Sequence, residues 1–340
     1  MEREALPARI RRLRRVILRF MIAALPLLGS VSACGRKPAP PPIVAILMLG
    51  DIRQPVLDGV KEGLARYGYV SARDVVYVVR NANGKEKALA ELAGELLAVG
   101  PDVICPLGNP EAEACMQPAR ARGIPVVFMA VSNPAEHRLA KGTFDPLPGS
   151  TGVKTGYSIR MPKRLQLITM FFPHIKTVTV LYEPAGAASQ RAKRTCVEAG
   201  PSLGLQVRPR ALRNSEDVQR FAESLAEGEH EIILATPSPL LDRYRKQLIA
   251  PAAARARIPT FGLDRQDCID GSTIAYGPST QSIGVQAARL VRKVLQGSRA
   301  DSMPIELPEN IELSINLKVA NQANLRFAPT ILQLADFIIR

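Results

Sequence analysis

PDVICPLGNPEAEACMQPARARGIPVVFMAVSNP, residues 101–134, is the stretch whose reading decides the fold. An apolar run at 103–105 predicts a strand, and the turn residues at 106–110 lead into a predicted helix over 111–122. A second apolar run at 125–130 then ends on the turn Ser132-Asn133-Pro134. Continuous apolar runs on both sides of a helix predict parallel strands buried on both faces. The same grammar returns at 231–264, EIILATPSPLLDRYRKQLIAPAAARARIPTFGLD. There a strand at 232–235, a proline turn at 236–239, a helix and an Ala-Arg-Ala-Arg tail precede a strand at 260–262. Two such units predict two lobes built alike, without requiring common descent, since every doubly wound sheet repeats this pattern.

Working outward, residues 43–49 form an apolar run, and 55–67 read as a helix with Val56, Val60 and Leu64 on one face. Pro55 suits its first turn. A strand at 75–79, a turn at 81–84 and a helix at 86–99 complete a β-α-β-α-β-α-β series with the opening stretch. Residues 144–151 read as a loop or crossing segment, 152–159 as a strand, and 162–172 as a helix. Alternation restarts with strand 177–182, turn 183–186 and helix 187–198. Strand 205–208 and helix 215–227, capped by Asn214 or Ser215, come next. After the second unit, strand 271–276 feeds a helix over 280–295 with Ile283, Ala287, Leu290, Val291 and Val294 on one face. The tail, 301–340, holds a strand at 311–315 and two short helices. The fold class is α/β, two Rossmann-like lobes with parallel sheets.

With 46% hydrophobic and 22% charged residues, the 340-residue chain has a globular composition rather than that of a disordered one. The net charge of +14 suggests nucleic acid until its distribution is examined. Residues 1–37 hold nine basic and two acidic side chains, so half of the excess lies there. The rest is spread thinly, with no basic stripe interleaved with aromatics, so no nucleic-acid partner is expected. Arg9, Arg11, Arg12, Arg14, Arg15 and Arg19 precede the apolar run 20–31, and Ser32-Ala33-Cys34 follows. A basic segment, a short apolar segment and small residues before a cleavage point are a secretory signal. The run is too short to span a bilayer comfortably. Ending on cysteine, it resembles a bacterial lipoprotein signal over 1–33, with Cys34 the lipidated residue. Residues 34–42, CGRKPAPPP, then form a proline-rich tether. A core helix or a basic arm is the competing reading.

Catalytic motifs are missing. No G-x-x-x-x-G-K-[ST], no G-x-G-x-x-G after a strand and no G-x-S-x-G elbow occurs. His137, His174 and His230 stand far apart beside turns, which suits solvated side chains rather than a metal site. Beyond Cys34, the cysteines Cys105, Cys115, Cys196 and Cys268 have no C-x-x-C spacing, and buried free thiols are at least as compatible as disulfides. No cofactor and no metal are expected.

The chain instead supplies loops at the C-terminal ends of its strands, where open α/β sheets bind ligands. They lie at 50–54, 107–110, 131–134, 183–189, 236–238, 263–267 and 277–280. Helix N-termini there offer free N–H groups. Ser132, Ser238, Ser279 and Thr280 add hydroxyls, and Asp51, Glu183 or Asp264 would meet an ammonium. Each of these residues also suits a helix cap or turn.

Several segments together resemble an ABC-transporter substrate-binding protein of the tryptophan/tyrosine type: 102–134, 149–157, 177–189, 231–264 and 271–317. The most specific matches are Ile124-Pro125-Val126-Val127-Phe128 running into Val131-Ser132-Asn133-Pro134, the Tyr276-Gly277 turn, and Met303-Pro304-Ile305 with Asn316-Leu317-Lys318. The resemblance covers nearly all of 43–340. It implies a type I periplasmic-binding-protein-like fold whose lobes, 43–156 plus 277–303 and 157–276 plus 304–340, join through a three-crossing hinge and close on a small molecule. It implies ligand contacts from Ser132, Asn133 and the 107–110 turn, with Asn109, in the first lobe, and from Ser238, Asp264, Tyr276 and Ser279 in the second lobe and hinge; the strand-end loops add Asp51, Gln54 and Glu183 as candidates. It also implies ABC permease subunits as partners, a membrane anchored through Cys34, a monomer, and no enzyme. One departure stands out: Glu111 in the turn after the third strand would oppose a ligand carboxylate or cap its own helix, whereas Arg53 and Arg265 would favour an anion. Two other readings remain: a hydrolase using Cys105 or Cys268, which lacks a paired histidine, and a two-lobe ligand-sensing regulator, which lacks a helix-turn-helix.

Overall fold

The computed structural model describes residues 40–228 and 231–340. The signal, Cys34 and His230 lie outside the described residues. Residues 41–340 form one compact unit containing two sheets.

The first sheet opens with β1 (Ile43–Met48), followed by α1 (Gln54–Arg66), β2 (Val76–Asn81), α2 (Leu89–Ala98), β3 (Val103–Pro106), α3 (Asn109–Ala121), β4 (Val126–Val131) and β5 (Ser150–Lys154). Its strand order is β2-β1-β3-β4-β5, all parallel. Side-chain alternation in β1 sends Val44, Ile46 and Met48 to one face and Ala45 and Leu47 to the other, and both faces are fully covered. β5 begins two residues earlier than the sequence predicts and pairs with β4 from Val126↔Ser150 to Val131↔Lys154. Its polar composition, STGVK, hides it. Gly152 is needed there because a Cβ would lie 2.1 Å from the Phe128 carbonyl oxygen.

The chain then crosses to the second sheet through α4 (Met161–Phe171), β6 (Thr177–Tyr182), α5 (Ala187–Ala199), β7 (Gln206–Ala211), α6 (Ser215–Ser224) and β8 (Ile233–Ala235). There follow α7 (Pro239–Tyr244), a π turn at Arg245–Ile249, α8 (Ala250–Arg255), β9 (Thr260–Gly262), α9 (Arg265–Ile269) and β10 (Ile274–Pro278). Where one helix is predicted after Pro239, the π turn divides it in two. Where a loop is predicted at 263–267, Asp264 caps the short α9. From β10 the chain returns to the first sheet as α10 (Thr280–Leu295), which packs beside α1 under Val44, Ile46 and Val153. It crosses once more into β11 (Ile311–Asn316), α11 (Leu317–Gln322), α12 (Pro329–Leu332) and β12 (Phe337–Ile339). The second sheet has the order β12-β11-β10-β9-β8-β6-β7, and only the β10–β11 pairing is antiparallel. α4 and α5 cover one face, and α6 to α8 cover the other. β12 is a strand that periodicity does not reveal. We call each sheet with its helices a lobe.

Candidate functional site

Strand C-termini in the first lobe deliver a polar rim. β1 ends at Leu49, whose N–H donates to Glu111 Oε1 at 3.0 Å, and Arg53 Nε donates to the same oxygen at 3.0 Å. Glu111 is fully buried and anchors Arg53, which sets its charge against a guanidinium inside the wall. Gly108 makes room for the pair, since a Cβ there would lie 2.4 Å from Arg53 Nη2 and 2.5 Å from Glu111 Oε2. Asn109 and Ser132 bind each other reciprocally. Asn109 Nδ2 donates to Ser132 Oγ at 2.9 Å, and the Ser132 N–H donates to Asn109 Oδ1 at 2.8 Å. Just before Ser132, Ala130 sits at φ 55° where the β4–β5 register slips. A non-glycine residue in the left-handed region is strained, and the bulge re-aims the end of β4 toward the rim.

The second lobe presents a more acidic wall. Glu183 accepts from Ser238 Oγ at 2.7 Å, and its own N–H donates to Ser189 Oγ at 2.8 Å. Tyr157 Oη donates to Asp264 Oδ2 at 2.5 Å. Asp264 is 9% exposed, and burial pushes its carboxyl up against the opposing effect of the Tyr157 hydrogen bond. Burial likewise raises the Tyr157 hydroxyl well above its ordinary range, with the Asp264 charge adding to it. Behind them Arg245, buried, pairs with Asp267 and, at 3.0 Å, with Asp242. Asp242 stands on the wall with half its side chain open; crowding protein raises its carboxyl, Arg245 and Arg53 lower it, and Asp264 raises it.

Beneath this wall lies Arg164, fully buried on the apolar face of α4. Its guanidinium donates to the carbonyls of Tyr276 (2.9 Å), Tyr157 (2.8 Å) and Leu263 (3.0 Å). Burial lowers its pKa to about 10, which still leaves it charged at neutral pH. One side chain thus ties together the three segments that carry Tyr157, Asp264 and Tyr276. Gly277 is required beside it, because a Cβ would lie 1.7 Å from the Leu263 carbonyl oxygen.

The two walls meet. Glu136, in the loop after β4, bonds to Arg191 of α5. Arg191 is the main reason that the Glu136 carboxyl titrates low, with Asn133 also donating to it.

Among the predicted residues, Asn109 with Ser132, and Glu183 with Ser238, are brought together. Ser238, Asp264 and Ser279 each cap the helix that follows them. Tyr276, half-buried, lends its carbonyl to Arg164. Asp51 accepts from Asn81 at 2.9 Å, and Gln54 donates to Asp58 at 2.7 Å, so both turn to neighbours on their own lobe. Arg265 is engaged by Glu312 at 2.7 Å and stacks on Phe337, leaving it no free charge for an anion.

Arg164, Tyr157, Asp242, Arg245, Asp267, Glu136 and Arg191 went unpredicted. Arg164 had a signal: it falls on the stripe of Met161, Leu165 and Ile168, where a charged residue is out of place. The others had none, because their partners lie far away in sequence.

The cysteines offer no nucleophile. Cys105, Cys115, Cys196 and Cys268 are all buried and free. Burial raises every one of them, Cys115 and Cys196 to about 12, so a thiolate is disfavoured at neutral pH. His137 pairs with Glu113, and His174 stacks edge-on to Phe172. Among the described residues no three His, Cys, Asp or Glu side chains converge for a metal, and no helix is long and apolar enough to cross a membrane.

A family model described as ABC transporter substrate binding protein matches residues 43–339. A tyrosine-binding protein of Clostridioides difficile is 22% identical over 269 residues, covering 78% of this chain and 76% of its own length. A conserved domain protein of Vibrio cholerae has a crystal structure that superposes with a TM-score of 0.73 at 23% identity, covering 87% of this chain and 99% of its own. A domain from Streptococcus pneumonia in complex with L-Trp superposes with the same score at 19% identity, covering 88% of this chain and all of its own.

Proposed function

The chain belongs to the ABC transporter substrate-binding protein family, and from that premise we propose that it is the lipid-anchored, extracytoplasmic component of an importer. It captures a small molecule, an amino acid or something similar, by closing two lobes around it. The observation that supports this best is the meeting of the segments after β4 and β6, at the C-terminal ends of the two sheets, through Glu136 with Arg191. We assign 43–156 plus 277–303 and 157–276 plus 304–340 to the lobes, with hinges near 156, 276 and 301–305. Closure around a ligand touching both walls shifts the open–closed equilibrium, and the closed form is what ABC permease subunits would recognise. Asn109, Ser132 and Asn133 would hold the ligand from the first lobe, with Asp51 and Gln54 at its rim. Glu183, Ser238 and Asp264 would hold it from the second, with Tyr276 and Ser279 at the hinge between them. Lipidated Cys34 would tether the monomer to a membrane facing the periplasm or cell exterior. The free thiols, raised by burial, favour this reading over a hydrolase.

A thermal-shift screen of the purified protein against amino acids, purines and small acids tests the proposal. A ligand at a hundred times its dissociation constant adds about 2.7 kcal/mol. Ser132→Ala and Asp264→Ala are each expected to weaken a hit; if both leave its affinity unchanged, this site assignment fails.

A further inference from the structure

Glu136 and Arg191 hold a position that ligand capture alone does not require. Glu136 lies in the loop after β4, and this loop is fastened to the first lobe by Leu139 and Ala140, which are buried against α2 and α3. Arg191 lies in α5 beside Ala192, which is fully buried in the core of the second lobe. Each charge is therefore carried by a packed part of its own lobe, and separating the pair requires the lobes to move apart. Asn133 steadies Glu136 from the first lobe, and both side chains of the pair stay partly exposed.

We propose that Glu136–Arg191 is an electrostatic latch that biases the empty protein toward closure. Lys154 brings like charge to the neighbourhood of Arg191 and opposes the latch, so Glu136 is what makes the contact attractive. A latch of this kind sets affinity without touching ligand, because the binding-competent population multiplies the intrinsic affinity. The inference rests on the two-lobe capture reading, yet its test contains no ligand.

The test is single-molecule energy transfer between dyes on Val99→Cys and Val197→Cys, exposed positions on opposite lobes, in the full chain carrying Cys34→Ser. Glu136→Ala and Arg191→Ala are each expected to lower the closed-to-open ratio roughly two- to fivefold, as for a partly exposed ion pair. Raising the salt to about 1 M should do the same to the wild type and little to either variant, since such pairs are screened. The swapped double variant Glu136→Arg/Arg191→Glu should recover much of the closed population. Single variants that leave the ratio unchanged, or a swap as open as the singles, overturn the latch. A ligand screen without hits would sink the capture reading and leave this result standing.

Discussion

Asp264 shows how one residue answers two demands. It caps α9, accepts from Tyr157 and stands at the cleft wall, while burial raises its carboxyl above the ordinary range. A raised folded-state pKa means the native protein holds the proton more tightly than the unfolded chain. Stability is therefore greatest below the unfolded value and falls as pH rises through the folded one. Asp264→Asn keeps the cap and an acceptor for Tyr157. We expect it to melt higher than wild type at pH 7, to lose that advantage near pH 4, and to bind ligand more weakly; melting curves across that range check the sign. Arg164 works in the other direction. Arg164→Met would leave three buried carbonyls without a donor, so we expect a loss of about 3 kcal/mol in urea unfolding together with weakened ligand binding.

At the scale of elements, the closest pairing is α1 against α10, the helix that returns from the second sheet to the first. Gly59, Gly63 and Gly284 let the helices touch: a Cβ on Gly284 would lie 2.1 Å from the Val56 carbonyl oxygen, and one on Gly59 would lie 2.0 Å from that of Gln281. Alanine is the better helix former, so propensity alone predicts that Gly284→Ala stabilises. Overpacking against rigid backbone reverses the sign, and we expect a loss of about 2 kcal/mol in urea unfolding. The helices themselves were legible from their apolar stripes, and α10 was read to its ends. β5 was placed late and β12 was not seen, because a polar edge strand and a three-residue strand carry too little periodicity. The π turn at Arg245–Ile249 had a local signal in Pro251, which has no N–H to donate to the carbonyl four residues back and so interrupts the α-helical ladder there.

For the whole molecule, the decisive feature is that the chain passes three times between the sheets and that the segments after β4 and β6 meet through Glu136 and Arg191. Under the anchored-importer reading, Cys34→Ser is expected to move the protein from the membrane to the soluble fraction without changing its melting temperature; unchanged partition would remove the anchor. The two-lobe α/β architecture followed from sequence because buried parallel strands and amphipathic helices declare themselves through short-range periodicity. The rim loops were legible for the same reason, since serine, asparagine, aspartate and proline mark strand-to-helix turns. Which rim residues face one another was decided by the tertiary structure alone. Glu111 with Arg53, Tyr157 with Asp264, Arg164 with three carbonyls and Glu136 with Arg191 are partners 58, 107, up to 112 and 55 positions apart. A charge's partner depends on where the chain returns in space, and no local pattern encodes that return.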